Sequence, residues 1–165
     1  MAKTFSREEF THPFGPIYRE DSEILILGSF PSVRSREQNF YYGHPRNRFW
    51  AVASTVFDVP VPETIEEKKA FLLSCRIALW DVVRSCSIIG SSDASMRCAE
   101  VNDIAGLLAE TNIRRIFTNG KTAGSLYDKY LREETGIGAM CLPSTSPANA
   151  SYSLDRLIEA WKIIR

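Results

Sequence analysis

Several patterns that would assign a sequence to a class at once are missing from this chain. Its four cysteines form no Cys-x-x-Cys pair, which argues against a zinc site or an iron–sulfur cluster. No cationic and apolar leader opens the sequence, so reduced thiols in a cytoplasmic protein are expected rather than disulfides in a secreted one. No apolar run approaches the roughly 20 residues that a membrane span requires. We therefore predict no metal, no cofactor and no membrane partner.

A global charge signal is also missing, because the formal net charge is +0. Any nucleic-acid surface would have to come from local segregation of charge. Residues 31–50 contain four arginines and one acid, whereas residues 58–67 contain four acids and no base. The arginines are Arg34, Arg36, Arg46 and Arg48. This segregation favours a basic surface near residues 31–50, and scattered solvated charge is the alternative.

What the chain does contain is a regular alternation of apolar runs and amphipathic segments. Its 165 residues suit one domain, 1–165. The predicted strands are 23–30, 76–83, 114–120 and 138–142, and the predicted helices are 48–57, 63–74, 100–111, 122–134 and 153–164. This order predicts an α/β fold, a three-layer α/β/α sandwich around a mainly parallel sheet of about four strands. Residues 1–22 are expected to form an extended arm packed on the domain.

Three polar loops follow the predicted strands, at residues 28–47, 81–95 and 143–151. The serines and glycine of residues 85–95 predict that regular structure stops there. In open α/β sheets, ligands bind beyond the carboxyl ends of the strands. The three loops are therefore the predicted place of the functional site.

Three short segments in these loops and at their ends carry a resemblance to a known family. They are Gly28-Ser-Phe-Pro-Ser, Phe40-Tyr-Tyr-Gly-His-Pro-Arg-Asn-Arg-Phe-Trp and Leu142-Pro-Ser-Thr-Ser-Pro. Together they resemble the uracil-DNA glycosylase superfamily, particularly its mismatch-specific branch and the hypoxanthine (deoxyinosine) DNA glycosylases. The resemblance implies a uracil-DNA glycosylase-like fold. It also implies a monofunctional DNA repair hydrolase that flips out a deaminated base, hypoxanthine first, and cleaves its N-glycosidic bond with water.

The first segment departs from the family pattern at Phe30. Classical uracil glycosylases have an aspartate there and the mismatch branch has an asparagine, whereas phenylalanine can neither orient nor deprotonate water. The hypoxanthine branch implies an asparagine in this loop as the catalytic residue, and we assign that role to Asn39. An Asx-type turn stabiliser is the alternative for Asn39. The following Phe40 resembles the aromatic residue that stacks on the base, with core packing as its alternative.

The base edge needs a partner as well, and Leu142 occupies the place of the histidine of classical uracil glycosylases. Asp81, which ends the second strand, resembles the base-recognition position of the superfamily. Its carboxylate would accept the N1–H of hypoxanthine or the N3–H of uracil. A structural cap or an ion pair with Arg84 is the alternative for Asp81. With Phe30 and Phe40, Asp81 completes the predicted base-binding set.

Hydroxyl groups in the first and last loops are suited to holding DNA phosphates or to filling the gap left by the base. The residues predicted for this role are Ser29, Ser32, Ser144, Thr145 and Ser146. A tight Pro-Ser-Thr-Ser-Pro connection is the alternative for the last loop. Asn47 is expected to cap a helix rather than to act in catalysis, and His44 is expected to be structural.

Other functions stay open beside the hypoxanthine glycosylase. One is excision of uracil from mismatches, and another is a catalytically silent DNA-binding homologue. A nucleotide-binding protein is disfavoured, because Gly120-Lys121-Thr122 lacks the upstream glycine of a P-loop. The expected partner is DNA that contains a deaminated base. We expect a cytoplasmic monomer, associated with the nucleoid if the source is prokaryotic.

Overall fold

The computed structural model describes residues 6–89 and 92–165. Its strands are β1 Arg7–Thr11, β2 Ile24–Gly28, β3 Ile77–Asp81, β4 Val83–Ile89, β5 Ser92–Val101, β6 Arg115–Asn119 and β7 Ala139–Leu142. Its helices are α1 Val33–Gln38, α2 Phe49–Val56, α3 Ile65–Ser74, α4 Ile104–Ala109, α5 Lys121–Tyr130, α6 Arg132–Thr135 and α7 Leu154–Trp161, and a 3₁₀ turn at Lys162–Ile164 follows α7. In the described part of the chain, no helix is long and apolar enough to cross a membrane.

The centre of the fold is a four-stranded sheet in the order β3-β2-β6-β7. All three pairings are parallel, with Ile24 opposite Ile77 and Arg115, and Ile116 opposite Ala139. The prediction of a mainly parallel α/β sheet is confirmed. The continuous apolar sequence of β2 predicts a strand that is covered on both faces, and β2 is buried along its whole length.

Alternate residues of β2 contribute to two cores on opposite faces of the sheet. Ile24 and Ile26 pack in one core with buried residues of α2, α3 and α7, whereas Leu25 and Leu27 pack in the other with buried residues of α4 and α5. The helices on both faces leave the carboxyl edge of the sheet accessible to the loops. Trp161 of α7 fixes one of these loops, because its Nε1–H donates to the Pro143 carbonyl at 2.9 Å.

The prediction of an irregular loop at residues 85–95 is wrong. This segment belongs to the antiparallel hairpin of β4 and β5, to which β1 adds a third strand. Cys86 and Ile88 alternate toward the second core, a period-2 pattern that the intervening serines conceal. Residues 90 and 91 lie outside the described part.

The N-terminal arm joins both sheets. The backbone N–H of His12 donates to the Arg84 carbonyl at 2.6 Å, which extends the pairing of β1 with β4. Farther along, Ile17 forms an isolated antiparallel bridge with Leu79 in the parallel sheet. The arm therefore runs beside the strand end that carries Asp81.

Helix boundaries differ from the predictions where side chains cap the backbone. Sequence analysis missed α1, which begins after Ser32 because the Ser32 hydroxyl accepts the Ser35 N–H at 3.3 Å. The helix predicted from residue 100 begins later, because β5 continues to Val101 and Asp103 caps the Gly106 N–H at 3.0 Å.

Candidate active site

A cavity of about 410 Å³ lies at the carboxyl edge of the parallel sheet. This volume is within the range of roughly 300–1,000 Å³ that is typical of small-ligand sites. The loops after β2, β6 and β7 and the last residue of β3 all contribute to its wall, as the strand-end rule predicts. The polar wall residues used below are Ser29, Ser32, Tyr42, Asn47, Asp81, Asn119, Lys121, Ser144, Thr145 and Ser146. Ala94 and Met96 of the hairpin also line it.

Asp81 brings the only carboxylate among the described wall residues. It is the last residue of β3 and is only 3% exposed. One carboxylate oxygen, Oδ2, lies 2.7 Å from His12 Nε2. The backbone carbonyl of Asp81 accepts the side-chain N–H of Asn102 at 2.8 Å, which fixes the strand end. The basic partner considered at the sequence level was Arg84, whereas the structure places His12 against this carboxylate.

Gly28 leaves the space that the Asp81 carboxylate occupies. A Cβ atom at position 28 would collide with Asp81 Oδ1, and it would also lie 3.4 Å from the Tyr42 hydroxyl oxygen. Gly28 is paired with Asp81 in the register of β2 and β3. The glycine of the first family-like segment is therefore required by the side chain of the neighbouring strand.

A chain of hydrogen bonds fixes Asn47 on another wall of the cavity. Its Oδ1 accepts the Phe49 N–H and the Thr145 hydroxyl, both at 2.9 Å. Thr145 Oγ1 accepts in turn from Asn119 Nδ2 at 2.9 Å, and Asn119 Oδ1 accepts the Thr145 N–H at 3.0 Å. Because Oδ1 of Asn47 has two donors, its Nδ2 amino group is the part left to face the cavity.

Thr145 differs in its surroundings from the two serines beside it. Its side chain is fully buried at 0% exposure, and its hydroxyl is used as both donor and acceptor inside the protein. Its contact with phosphate stays a prediction, and its partners agree with the alternative of a tight connection. Thr145 joins the ends of β6 and β7 to the start of α2.

Tyr42 lines the cavity, and its hydroxyl oxygen is buried. The ring stacks on Phe49, with centroids 4.3 Å apart, in a residue whose φ is +52°. Among the described residues, the hydroxyl has no hydrogen-bond partner within the geometric limits of a hydrogen bond. Burial raises the pKa of Tyr42 and the neighbouring Asp81 carboxylate adds to the rise, with Asn119 opposing it, so the phenol keeps its proton and can donate.

The residues predicted to contact phosphate differ in their exposure: the serines lie at the rim of the cavity, and Thr145 is buried. Ser29, Ser32, Ser144 and Ser146 line the cavity and are partly exposed. Lys121, at the start of α5, adds an exposed cation to the same rim. The four serines are therefore where the prediction requires them, and their contact with phosphate stays a prediction.

Phe30 also lines the cavity, in agreement with its predicted place. Its ring meets the His12 ring edge-on at 5.8 Å, and the Arg36 guanidinium lies 5.6 Å from its centroid. Phe30 therefore contributes an apolar wall beside Asp81 and offers no group that could activate water.

Asn39 and Phe40 are not brought to the cavity. Asn39 is exposed and ends α1 in the left-handed conformation, with φ 54° and ψ 39°. Phe40 is 4% exposed and stacks on Trp50 with a centroid distance of 6.0 Å. The catalytic role of Asn39 and the stacking role of Phe40 stay predictions, and their positions agree with the turn and core alternatives.

The arginines of residues 31–50 do not form one continuous basic face. Arg48 donates to the carbonyls of Ser146 and Asn149 at 3.1 and 2.9 Å, so it holds the last loop. Arg36 donates to the Pro31 carbonyl at 2.8 Å and lies over the Phe10 ring. The other two, Arg34 and Arg46, are exposed, and Arg34 lies 3.8 Å from Glu37.

Three wall residues were missed by sequence analysis, for different reasons. Asn119 ends β6 as Asp81 ends β3, so the strand-end rule could have found it. Asn47 was expected only as a cap, and it does accept a backbone N–H, but it also faces the cavity. Tyr42 had no signal that separated it from the neighbouring Tyr41, which packs inward and donates to the Gly15 carbonyl at 2.8 Å.

Comparison with known proteins agrees with this geometry. A sequence model described as the uracil DNA glycosylase superfamily matches residues 16–165. A protein named hypoxanthine DNA glycosylase from Methanosarcina acetivorans is 38% identical over 153 residues, which cover 92% of this chain and 95% of that protein. A protein of the same name from Methanosarcina barkeri is 33% identical over 138 residues, which cover 82% of this chain and 86% of that one.

A solved structure is similar as well. The solution NMR structure of a Methanosarcina acetivorans protein superposes with a TM-score of 0.80 at 36% identity. The match covers 92% of this chain and 94% of that one. Fold and cavity together define an α/β protein with a cavity of small-ligand size at the carboxyl edge of its sheet. The chain belongs to the uracil DNA glycosylase superfamily, which confirms the resemblance seen in its sequence.

Proposed function

We propose that this protein is a monofunctional DNA glycosylase that flips out a deaminated base, hypoxanthine from deoxyinosine, and removes it by hydrolysis. Two similar proteins that bear the name hypoxanthine DNA glycosylase support the choice of base. The structural observation that carries the proposal is that one cavity is lined by both a hydrogen-bond acceptor and a hydrogen-bond donor. Asp81 supplies an acceptor, and the amino group of Asn47 supplies donors.

These groups match the edge of a hypoxanthine ring. Hypoxanthine carries a proton on N1, which the Asp81 carboxylate can accept as a hydrogen bond. Its O6 and N7 atoms are acceptors, for which the protonated Tyr42 hydroxyl is a suitable donor. Adenine has a lone pair on N1 instead of a proton, so the same carboxylate would repel it. Discrimination against adenine thus follows from one acceptor in a fixed place, whereas the N3–H of uracil would satisfy the same acceptor.

Release of the nucleobase requires stabilisation of the developing charge more than it requires a strong proton acceptor. Cleavage of the N-glycosidic bond builds positive character on the sugar and negative charge on the leaving base. The Asn47 amide, held by Thr145 and Phe49, is preorganised to donate toward that developing negative charge. With Phe30 at the usual water-activating position, hydrolysis lacks the general-base contribution of classical members, and a modest turnover rate is expected.

Asn39 remains the alternative source of the catalytic amide. The resemblance to the hypoxanthine branch implies an asparagine in this loop, and both Asn39 and Asn47 satisfy that implication. The location of Asn47 on the cavity wall supports Asn47. A catalytic Asn39 would require the exposed end of α1 to approach the DNA directly.

The proposal is tested with duplex oligonucleotides that each contain a single inosine, uracil or xanthine, together with an undamaged duplex. Free hypoxanthine released from the inosine duplex, with slower or no release from the others, is the expected result. Preferred release of uracil from mismatches would move the protein to the mismatch-specific function. Salt-sensitive DNA binding without release of any base would identify a silent homologue.

The same assay distinguishes a monofunctional enzyme from a lyase. Lys121 lies on the cavity rim, and a lysine amine could in principle attack an abasic sugar. The expected product strand is abasic but unbroken until it is treated with alkali. Strand cleavage without alkali, together with a covalent adduct after borohydride reduction, would contradict the monofunctional assignment.

A further inference from the structure

We propose that His12 is a positioning residue that orients the Asp81 carboxylate for recognition of the flipped base. The inference rests on the proposed function, and it assigns a role to the N-terminal arm. The superfamily match begins at residue 16, so His12 lies outside the matched region. Nothing in that match accounts for a histidine at this place.

The two side chains form a buried pair. His12 Nε2 and Asp81 Oδ2 are 2.7 Å apart, and the side chains are 3% and 5% exposed. A buried carboxylate needs hydrogen-bond donors, because leaving it unpaired costs its full desolvation penalty. Within residues 6–89 and 92–165, His12 is the side chain that donates to it.

The direction of the hydrogen bond follows from the other ring nitrogen. Nδ1 of His12 accepts the Phe14 backbone N–H at 3.4 Å, so Nε2 is the nitrogen that carries a proton. Nε2–H then donates to Asp81 Oδ2. A neutral imidazole suffices for this bond.

The imidazole ring has little freedom to turn. Phe14, Phe30 and Tyr41 surround it at centroid distances of 4.6, 5.8 and 6.2 Å. The His12 backbone is held as well, through the bond from its N–H to the Arg84 carbonyl. The donor is therefore held by Phe14 of the arm, by the Phe30 and Tyr41 rings of the loop after β2, and by the antiparallel sheet.

Fixing Oδ2 determines where the other oxygen points. Oδ1 lies against Gly28, which lines the cavity and whose lack of a Cβ atom leaves room for this oxygen. The carboxylate thus has one oxygen committed to the arm and one on the side of Gly28. Without the His12 donor, the carboxylate could rotate, and its acceptor would no longer meet the N1–H of the base in a single geometry.

The test compares two substitutions of His12 with different chemistry. H12F keeps an aromatic ring among Phe14, Phe30 and Tyr41 but has no donor. H12Q places an amide N–H near the position of Nε2. We expect kcat/KM for inosine excision to fall about tenfold or more in H12F, as removal of a hydrogen bond to a charged group predicts, and H12Q to restore most of the loss. H44F, which changes the other histidine of the chain, is the matched control and should stay close to the wild type.

A double-mutant cycle separates positioning from a general structural effect. If His12 acts through Asp81, adding H12F to D81N causes little further loss beyond D81N alone. Losses that multiply would overturn the inference, as would an H12F variant with wild-type kcat/KM. Thermal unfolding of each variant shows whether the protein is folded under the assay conditions.

A binding measurement keeps this test independent of base release. Fluorescence anisotropy compares a duplex containing one inosine with the same duplex containing adenosine at that position. A preference for inosine that is reduced in H12F and restored in H12Q supports positioning, and an equal preference in all three proteins overturns it. Absence of base release by the wild type would instead reject the proposed function while leaving this comparison intact.

Discussion

The two asparagines of the loop after β2 have contrasting surroundings. Asn39 is exposed at the end of α1, with its backbone in the left-handed region that asparagine tolerates well. Asn47 is held by Phe49 and Thr145, and it lines the cavity. The contrast teaches that a residue type and an approximate place in a loop do not identify a catalytic group. Its hydrogen-bond partners decide whether an amide is preorganised.

The aromatic residues of the same loop divide in the same way. Phe40 fills the core against Trp50, whereas Tyr42 lines the cavity. Asn39 and Phe40, in the middle of the loop, are therefore outside the cavity wall, whereas the beginning of the loop and the part that continues into α2 both contribute to that wall. Substitutions in the middle of the loop and next to α2 test this division.

The largest of these effects is expected for Gly28→Ala. The new Cβ would collide with Asp81 Oδ1, and His12 restricts the movement of that carboxylate. Displacement of a recognition group by about 1 Å can reduce the rate about 100-fold, and a loss of that order in kcat/KM is expected. Gly15→Ala is the matched control, because a Cβ there meets nothing within 4 Å. Equal activity of G28A and G15A would show that the Asp81 carboxylate is not constrained as described.

A smaller loss is expected for Thr145→Val. Valine keeps the shape but removes the hydroxyl that links Asn119 to Asn47. Excision should slow about tenfold, and the free energy of unfolding should fall by about 1–3 kcal/mol, because buried groups lose partners. Thr55→Val is the control, since Thr55 is an exposed helical residue whose hydroxyl donates only to the Ala51 carbonyl. An unchanged excision rate in T145V would argue against the hydrogen-bond chain as a support for Asn47.

Tyr42→Phe should change activity and stability in different directions. Removing a buried hydroxyl that has no hydrogen-bond partner among residues 6–89 and 92–165 should leave the free energy of unfolding unchanged or raise it by about 1 kcal/mol. Excision should slow about threefold to tenfold if the hydroxyl donates to the base. Tyr41→Phe is the contrasting variant, because it loses the bond to the Gly15 carbonyl and should be less stable. Faster or unchanged excision by Y42F would exclude the hydroxyl from base binding.

Phe40→Leu should have the smallest effect on activity. A smaller side chain in the core lowers the free energy of unfolding by about 1–2 kcal/mol, but the cavity wall is unchanged. Chemical denaturation and single-turnover kinetics measure the two quantities separately. Phe57→Leu, in a half-buried ring at the other end of α2, is the comparison. A large loss of excision with normal stability in F40L would restore Phe40 as the base-stacking residue.

The parallel sheet was predictable because a continuous run of apolar residues in a strand requires burial on both faces. The sequence of β2 shows this pattern without any information from its neighbours. Asp81 was predictable for the same reason, since it ends such a strand. The hairpin was not, because the serines of β4 resemble a loop until β1 and β5 pair with it.

The surroundings of each site residue could not be predicted, because they depend on contacts between residues that are distant in sequence. Thr145 and Ser144 are equivalent in a motif, but only Thr145 is enclosed by Asn47 and Asn119. His12 came from a segment expected only to cover the domain, and its position beside Asp81 depends on the pairing of β1 with β4. No local pattern contains that information.

The most direct measurement is single-turnover excision of hypoxanthine by Asn47→Ala and Asn39→Gly, compared side by side with the wild type. Glycine is chosen at position 39 because it tolerates the positive φ of this residue, so only the side-chain amide is lost. Loss of a preorganised donor should slow N47A about 100-fold to 1,000-fold, whereas N39G should stay within about twofold of the wild type. A slow N39G beside a nearly normal N47A would contradict the placement of the chemistry in the cavity at the sheet edge.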